Sequence, residues 1–262
     1  MIIKYYRNIR KQLLVKNRMS KYFKYAIGEI ILVVVGILIA LQVNNWNVDR
    51  KNDIQMQKVL QQLKEDYQDN LTQLEEKMQM RSTSIQAGMR SLEMIDSKET
   101  ITRDSLIMHL EKMIVDPTFD PIGNDLIATG NIRIIKSDTL KRLLSRWDSD
   151  VKQLQQVEIE WRKMRTDIFI PFLIKTGLAR DLHHESWKYS KQIIHMLDKD
   201  LDTKLVIGVS KQKSQIDLRE HLNEMEGVIA NSISPNHVAN LFSISLRKRI
   251  LKILELIDQE IE

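Results

Sequence analysis

The chain has 262 residues, a formal net charge of +5, 29% charged residues and no cysteine, so thiol chemistry, disulfides and Cys-ligated zinc are excluded. The basicity is local: eight of the 40 Lys/Arg and no acid fall in the first 24 residues, leaving 32 basic against 35 acidic residues over 25–262. That acidic body argues against a nucleic-acid partner.

Residues 1–20 form a basic leader in which Ile2, Tyr5, Tyr6, Ile9 and Leu13 recur at helical spacing, predicting a short helix in a membrane interface. Arg7, Arg10, Lys11, Lys16 and Arg18, with Lys21 and Lys24 beyond them, are placed to meet anionic lipid headgroups. Residues 21–47 then supply the one stretch able to cross a bilayer, bracketed by Tyr22 and Tyr25 on one side and Trp46 on the other. From Tyr25 to Trp46 a helix rises about 31 Å, close to the hydrocarbon thickness of a membrane. The Lys/Arg bias predicts a cytoplasmic N-terminus. A cleaved signal peptide is the rival, but Leu41-Gln42-Val43-Asn44 offers no small-residue cleavage site.

Within the span, Glu29 is a costly carboxylate about 6 Å inside Tyr25. It reads either as a contact to another membrane helix, with Gly28, Gly36 and Ala40 permitting close approach, or as a side chain reaching nearby headgroups beside Lys24.

Residues 48–262 read as one helical body. Leu60, Leu63, Tyr67, Leu71, Leu74 and Met78 form an amphipathic stripe, interrupted at Arg81-Ser82-Thr83-Ser84 and resumed by Ile85, Met89, Leu92 and Ile95. If it continues the span, the helix passes a weak point at Asn44-Asn45-Trp46-Asn47. Thr102 caps a short helix carrying Leu106, Leu110, Met113 and Ile114. The stretch 116–136 holds two Pro and two Gly, with one helical turn from Asp125 to Thr129 closed by Gly130. Ser137 or Asp138 caps a second long helix with Leu140, Leu144, Trp147, Val151, Leu154, Val157, Trp161, Met164 and Ile168 buried; Pro171 kinks it and Gly177 ends it. Short segments around Trp187–Leu197 precede two further helices. One carries Leu218, Leu222, Met225 and Ile229; the other opens at Ser234-Pro235 with Leu246, Ile250, Ile253, Ile257 and Ile261 inside. The expected fold is all-α: one N-terminal transmembrane helix continuing toward an elongated antiparallel bundle. In that arrangement the second long helix returns toward the bilayer and 97–136 forms a distal tip.

The run Lys21-Tyr22-Phe23-Lys24-Tyr25-Ala26-Ile27-Gly28-Glu29 through Leu41, with the exit Asn44-Asn45-Trp46-Asn47, resembles an uncharacterised domain family of single-pass inner-membrane proteins in Bacteroidota. Gly130-Asn131, Ile134-Ile135-Lys136 and Leu140 are similar to a later pattern of that family. The resemblance implies a Gram-negative inner membrane and a periplasmic helical domain; it carries no activity, cofactor or catalytic residue.

No catalytic fingerprint is present. Gly123-Asn-Asp-Leu-Ile-Ala-Thr-Gly130 lacks the Lys-Ser/Thr ending of a phosphate loop, and no nucleophile elbow or dinucleotide motif occurs. His183, His184 and Glu185 beside Asp181 lack the i, i+4 spacing of a helical zinc site and read as a solvated polar turn. His195 has no evident partner, His221 with Glu224 and Glu226 reads as an exposed face, and His109 and His237 lack ligand spacing. Trp147, Trp161 and Trp187 read as core. The expectation is a non-enzymatic interaction, scaffold or ligand-sensing module without cofactor or metal. The short leader leaves no room for a signalling domain, so the module would work through a membrane partner or another copy of itself. The alternative is a periplasmic hydrolase or metal-dependent enzyme with its site near 116–136 or 181–195.

Overall fold

The computed structural model describes residues 19–97, 102–123, 126, 130–189, 202–212 and 218–261. Of the expected features, the interfacial leader with Arg7, Arg10, Lys11, Lys16 and Arg18, the Asp125–Thr129 turn apart from Leu126, and His195 lie outside these residues. Lys21, Tyr22 and Tyr25 fall in a described helix, but their side chains do not belong to the described set.

Helix α1 spans Met19–Asp96 and remains helical through Asn44-Asn45-Trp46-Asn47. The chain divides into two compact units, Met1–Lys58 and Val59–Glu262. In the first, α1 is long and apolar enough to cross a membrane, and none of its most apolar window is buried.

In the second unit, α1 buries Leu60, Leu63, Tyr67, Asn70, Leu74, Lys77, Arg81, Ser84, Gly88 and Ser91. These alternate in steps of three and four, the 3.5-residue seam of a helix packed lengthwise on others. The expected stripe departs from this register at Leu71, which is half-buried beside the buried Asn70, and again after Leu74. Met89 is 49% exposed, Ile85, Leu92 and Ile95 are half-buried, and the supposed polar interruption at Arg81 and Ser84 lies inside. At Gly88 the helices come close enough that a Cβ would lie 2.8 Å from Ile233.

Helix α2, Arg103–Met113, starts where Thr102 accepts the Ser105 N–H. Residues 115–123 are extended, and Gly130 at φ 74° precedes a 3-10 turn, Asn131–Ile134. Helix α3, Asp138–Met164, is capped by Ser137, whose side chain accepts the Leu140 N–H. A π-helical turn, Arg165–Phe169, joins it to α4, Ile170–Lys175. The extra residue moves the buried position by one, so Phe169 is fully buried and Ile168, expected inside, is 49% exposed. Pro171 explains the location: it has no N–H for an ordinary helical bond, and the Ile170 N–H just before it reaches back to Arg165 O. Gly177, at φ 65°, ends this stretch as expected. Helix α5 is Ala179–Trp187.

Helix α6, Leu222–Glu260, corrects the reading of Ser234-Pro235 as a helix start, because Pro235 lies inside it. An interior proline costs about 3 kcal/mol. Met225, Val228 and Ile229 before it and Ala239, Leu246 and Ile250 after it are all buried, and that continuous face outweighs the lost bond. His237 is consequently mid-helix rather than in a first turn.

The result is an all-α bundle of α1, α3 and α6. Lys64 pairs with Asp258, Glu75 with Arg247, and Asn240 bonds Met78 O and Ser82, so α6 runs antiparallel to α1. Tyr67 meets Trp147 and Arg81 meets Glu158, so α3 runs in the same sense as α1. The return expected of α3 is made instead by the extended segment, in which Pro117 reaches Arg81, Asp120 reaches Gln73 and Ile122 reaches Asn70.

Candidate functional site

The extended segment has no neighbouring strand among the described residues to satisfy its backbone, and side chains do so. Asn70 and Ile122 exchange two hydrogen bonds, at 3.0 and 2.7 Å, and Gln73 and Asp120 exchange two more, at 3.0 and 2.8 Å. Gln155 donates to Phe119 O, and the Trp161 indole to Val115 O. Arg162 holds Asp116 Oδ2 and Thr118 Oγ1, each at 2.8 Å.

The centre of this clamp is ionic. The Arg81 guanidinium, 1% exposed, pairs with the Glu158 carboxylate, 3% exposed. It also donates to Ser243 Oγ at 2.9 Å and to Pro117 O at 3.0 Å, while both Glu158 oxygens accept the Phe119 N–H at 3.1 Å. One pair thus ties α1, α3, α6 and the extended segment together. Burial pushes the Glu158 carboxyl up to about 7 against the pull of Arg81 and the Phe119 N–H, and burial lowers Arg81 below its usual value.

Folded Glu158 therefore binds a proton more readily than the unfolded chain. Its contribution to stability is full below about 4.5 and is lost as pH rises through about 7. Between about pH 5 and 7.5 the melting temperature of the wild type should fall relative to that of Glu158→Gln. Parallel melting curves would remove Glu158 as the source of any pH dependence.

Beside the clamp is a cavity of about 410 Å³, partly open, lined by Lys77, Asp116, Arg165, His183, Ser186 and Trp187 among others. Burial lowers the Lys77 ammonium below its usual value, partly offset by Glu76 and Glu158. The two stretches considered for an enzyme site, 116–136 and 181–195, thus contribute Asp116, Thr118, His183, Ser186 and Trp187 to one place. Lys77 and Arg165 were missed. A lysine on a helix reads as solvated, and only the seam spacing from Leu60 could have shown position 77 to face inward.

The remaining candidates are dispersed. Asp181 is not part of a solvated turn: it is buried in α5, accepts from Arg103 Nε at 2.8 Å and from Ser210 N–H at 2.5 Å. His184 accepts the Gly208 N–H at 3.3 Å, and His183 is exposed. His221 lies 3.5 Å from Glu224, which also pairs with Lys175. Among the described residues no three His, Asp or Glu side chains converge to hold a metal ion. Trp147 and Trp161 are core and Trp187 is half-buried. Glu29, Ala40 and Trp46 are exposed on α1, as is Lys24, and added Cβ atoms at Gly28 and Gly36 would meet open space. At about 100° per residue Glu29, Gly36 and Ala40 share one face, with Gly28 a quarter-turn away.

Residues 29–103 match a family of unknown function, DUF6090. The match runs along α1 from Glu29 to the first residue of α2, and so includes Asn70, Lys77 and Arg81 but not the Gly130–Leu140 pattern. No curated protein and no solved structure matches the chain.

Proposed function

We propose that the chain is a single-pass inner-membrane protein of a Gram-negative cell, N-terminus cytoplasmic and helical body periplasmic. It acts without catalysis as an interaction, scaffold or ligand-sensing module through a membrane partner or a second copy. The observation that supports this reading most is the bare apolar surface of α1: its large hydrophobic residues between Ile27 and Val43 are each between 46% and 71% exposed. Left in water, such a surface would drive association at about 25 cal/mol per Å². A bilayer covers it at once, and the basic leader sets the direction.

The test combines topology with lateral contact. A C-terminal alkaline phosphatase fusion should be active and a C-terminal green fluorescent protein dark; the opposite pattern would refute the orientation. A photo-crosslinker at Gly36 should capture a second copy or another membrane protein, with recovery reduced by Glu29→Gln on the same face. Unchanged recovery in that variant would remove Glu29 from the contact.

A further inference from the structure

Three polar atoms around the cavity beside the clamp are buried without a partner among the described residues: Asp116 Oδ1, Arg165 Nε and Ser186 Oγ. A buried polar atom left unpaired costs about 1–3 kcal/mol, and native interiors carry few of them. Three on one cavity, beside a buried lysine that makes no ion pair or hydrogen bond among the described residues, point to a partner from outside the chain. The elements holding them are independent: Lys77 is on α1, Asp116 on the extended segment, Arg165 on the π-helical turn and Ser186 on α5. A π-helical turn is an irregularity frequent at functional sites, and this one begins at Arg165 itself.

The complement of groups defines the ligand. Lys77 and Arg165 supply cationic donors, Ser186 a hydroxyl, and Asp116 one bare carboxylate oxygen, its other oxygen being held by Arg162. Met80, Ile114 and Trp187 add apolar wall. The net positive lining favours an anion, while the bare Asp116 oxygen demands a donor on the same molecule and repels a phosphate dianion. About 410 Å³ is the small end of ligand pockets. We propose that this cavity binds a small organic acid: a carboxylate on Arg165 and Lys77, an adjacent ammonium or hydroxyl on Asp116, and a short apolar side chain against Trp187. The site goes beyond the membrane-anchored reading and does not depend on the orientation of the span.

Full-length protein in nanodiscs, titrated calorimetrically with L-leucine, 2-hydroxy-4-methylpentanoate and 4-methylpentanoate, tests this. At least one of the first two should bind, and 4-methylpentanoate, which lacks the adjacent donor, should bind about tenfold more weakly or less. Arg165→Met should weaken the best probe about tenfold or more, and Asp116→Asn should narrow its advantage over 4-methylpentanoate. Ser186→Ala should raise the melting temperature of the unliganded protein while weakening the best probe, since it removes an unpaired buried hydroxyl that the ligand would satisfy. Circular dichroism establishes that each variant is helical. Absence of saturable heat from all three probes to about 10 mM in folded wild type would mean the cavity holds solvent only, and would overturn the proposal. Wild-type affinities in Arg165→Met and Asp116→Asn would overturn it as well.

Discussion

At about pH 8, Arg81→Met should cost about 3–5 kcal/mol of stability, because Glu158, held near 7 only with the pull of Arg81, must then either stay buried as a bare carboxylate or take up a proton. Arg81 also holds Pro117 O and Ser243 Oγ, so those acceptor and hydroxyl groups lose a partner in the same step. For a body of this size the loss corresponds to about 6–20 °C in melting temperature, read from circular dichroism of the full chain in detergent. Adding Glu158→Gln should recover part of it: the amide oxygen still accepts the Phe119 N–H, and no bare charge remains inside. The pair itself need not stabilise the fold over an apolar substitute; its strength is that one missing member is severely penalised. If the double variant melts no higher than Arg81→Met, the ionic account of this position is wrong.

Trp147→Ala should be of similar size, about 3–5 kcal/mol. Trp147 is fully buried, and its ring meets Tyr67 at 5.0 Å and Phe119 at 6.4 Å, both near edge-to-face. The truncation removes the side chain that α1 and the extended segment both pack on, so it opens a cavity that three elements would have to close together. Edge-to-face pairs add about 0.5–1.5 kcal/mol beyond area, which makes Trp147→Phe the milder variant. Near-UV circular dichroism should lose its aromatic signal in Trp147→Ala at temperatures where the helical signal persists. A melting curve matching wild type would exclude Trp147 as a core anchor.

Local signals were read correctly where the physics is local. Thr102 and Ser137 cap their helices because a hydroxyl three residues before an amide satisfies it whatever the surroundings. Gly177 ends its helix because only glycine takes φ 65° without strain. Leu140, Leu144, Trp147, Val151, Leu154 and Trp161 are inside because one regular helix keeps one face. Readings failed where long-range packing overrode such rules. Ser234-Pro235 has the chemistry of a helix start, yet the apolar face on both sides holds one helix through it.

The candidate cavity was legible only in fragments. The stretch 116–136, which begins at Asp116, and the residues around His183 were considered, but as alternatives at separate places. Their convergence needs the extended segment to run back along α1, which no periodicity encodes. Lys77, Arg81 and Glu158 have the composition of solvated helix faces; Arg81 and Glu158 are buried against each other across 77 residues of chain, and Arg81 against Ser243 across 162.

By itself the sequence determined the helical class, the caps, and the apolar N-terminal stretch long enough to cross a bilayer, because each follows from bonding and transfer energies within a few turns of chain. The tertiary structure alone decided that α3 runs parallel to α1, that a polar seam is buried, and that polar groups from four elements meet at one cavity. Those depend on where distant segments return, and the buried Arg81–Glu158 pair exists only once both segments are in place.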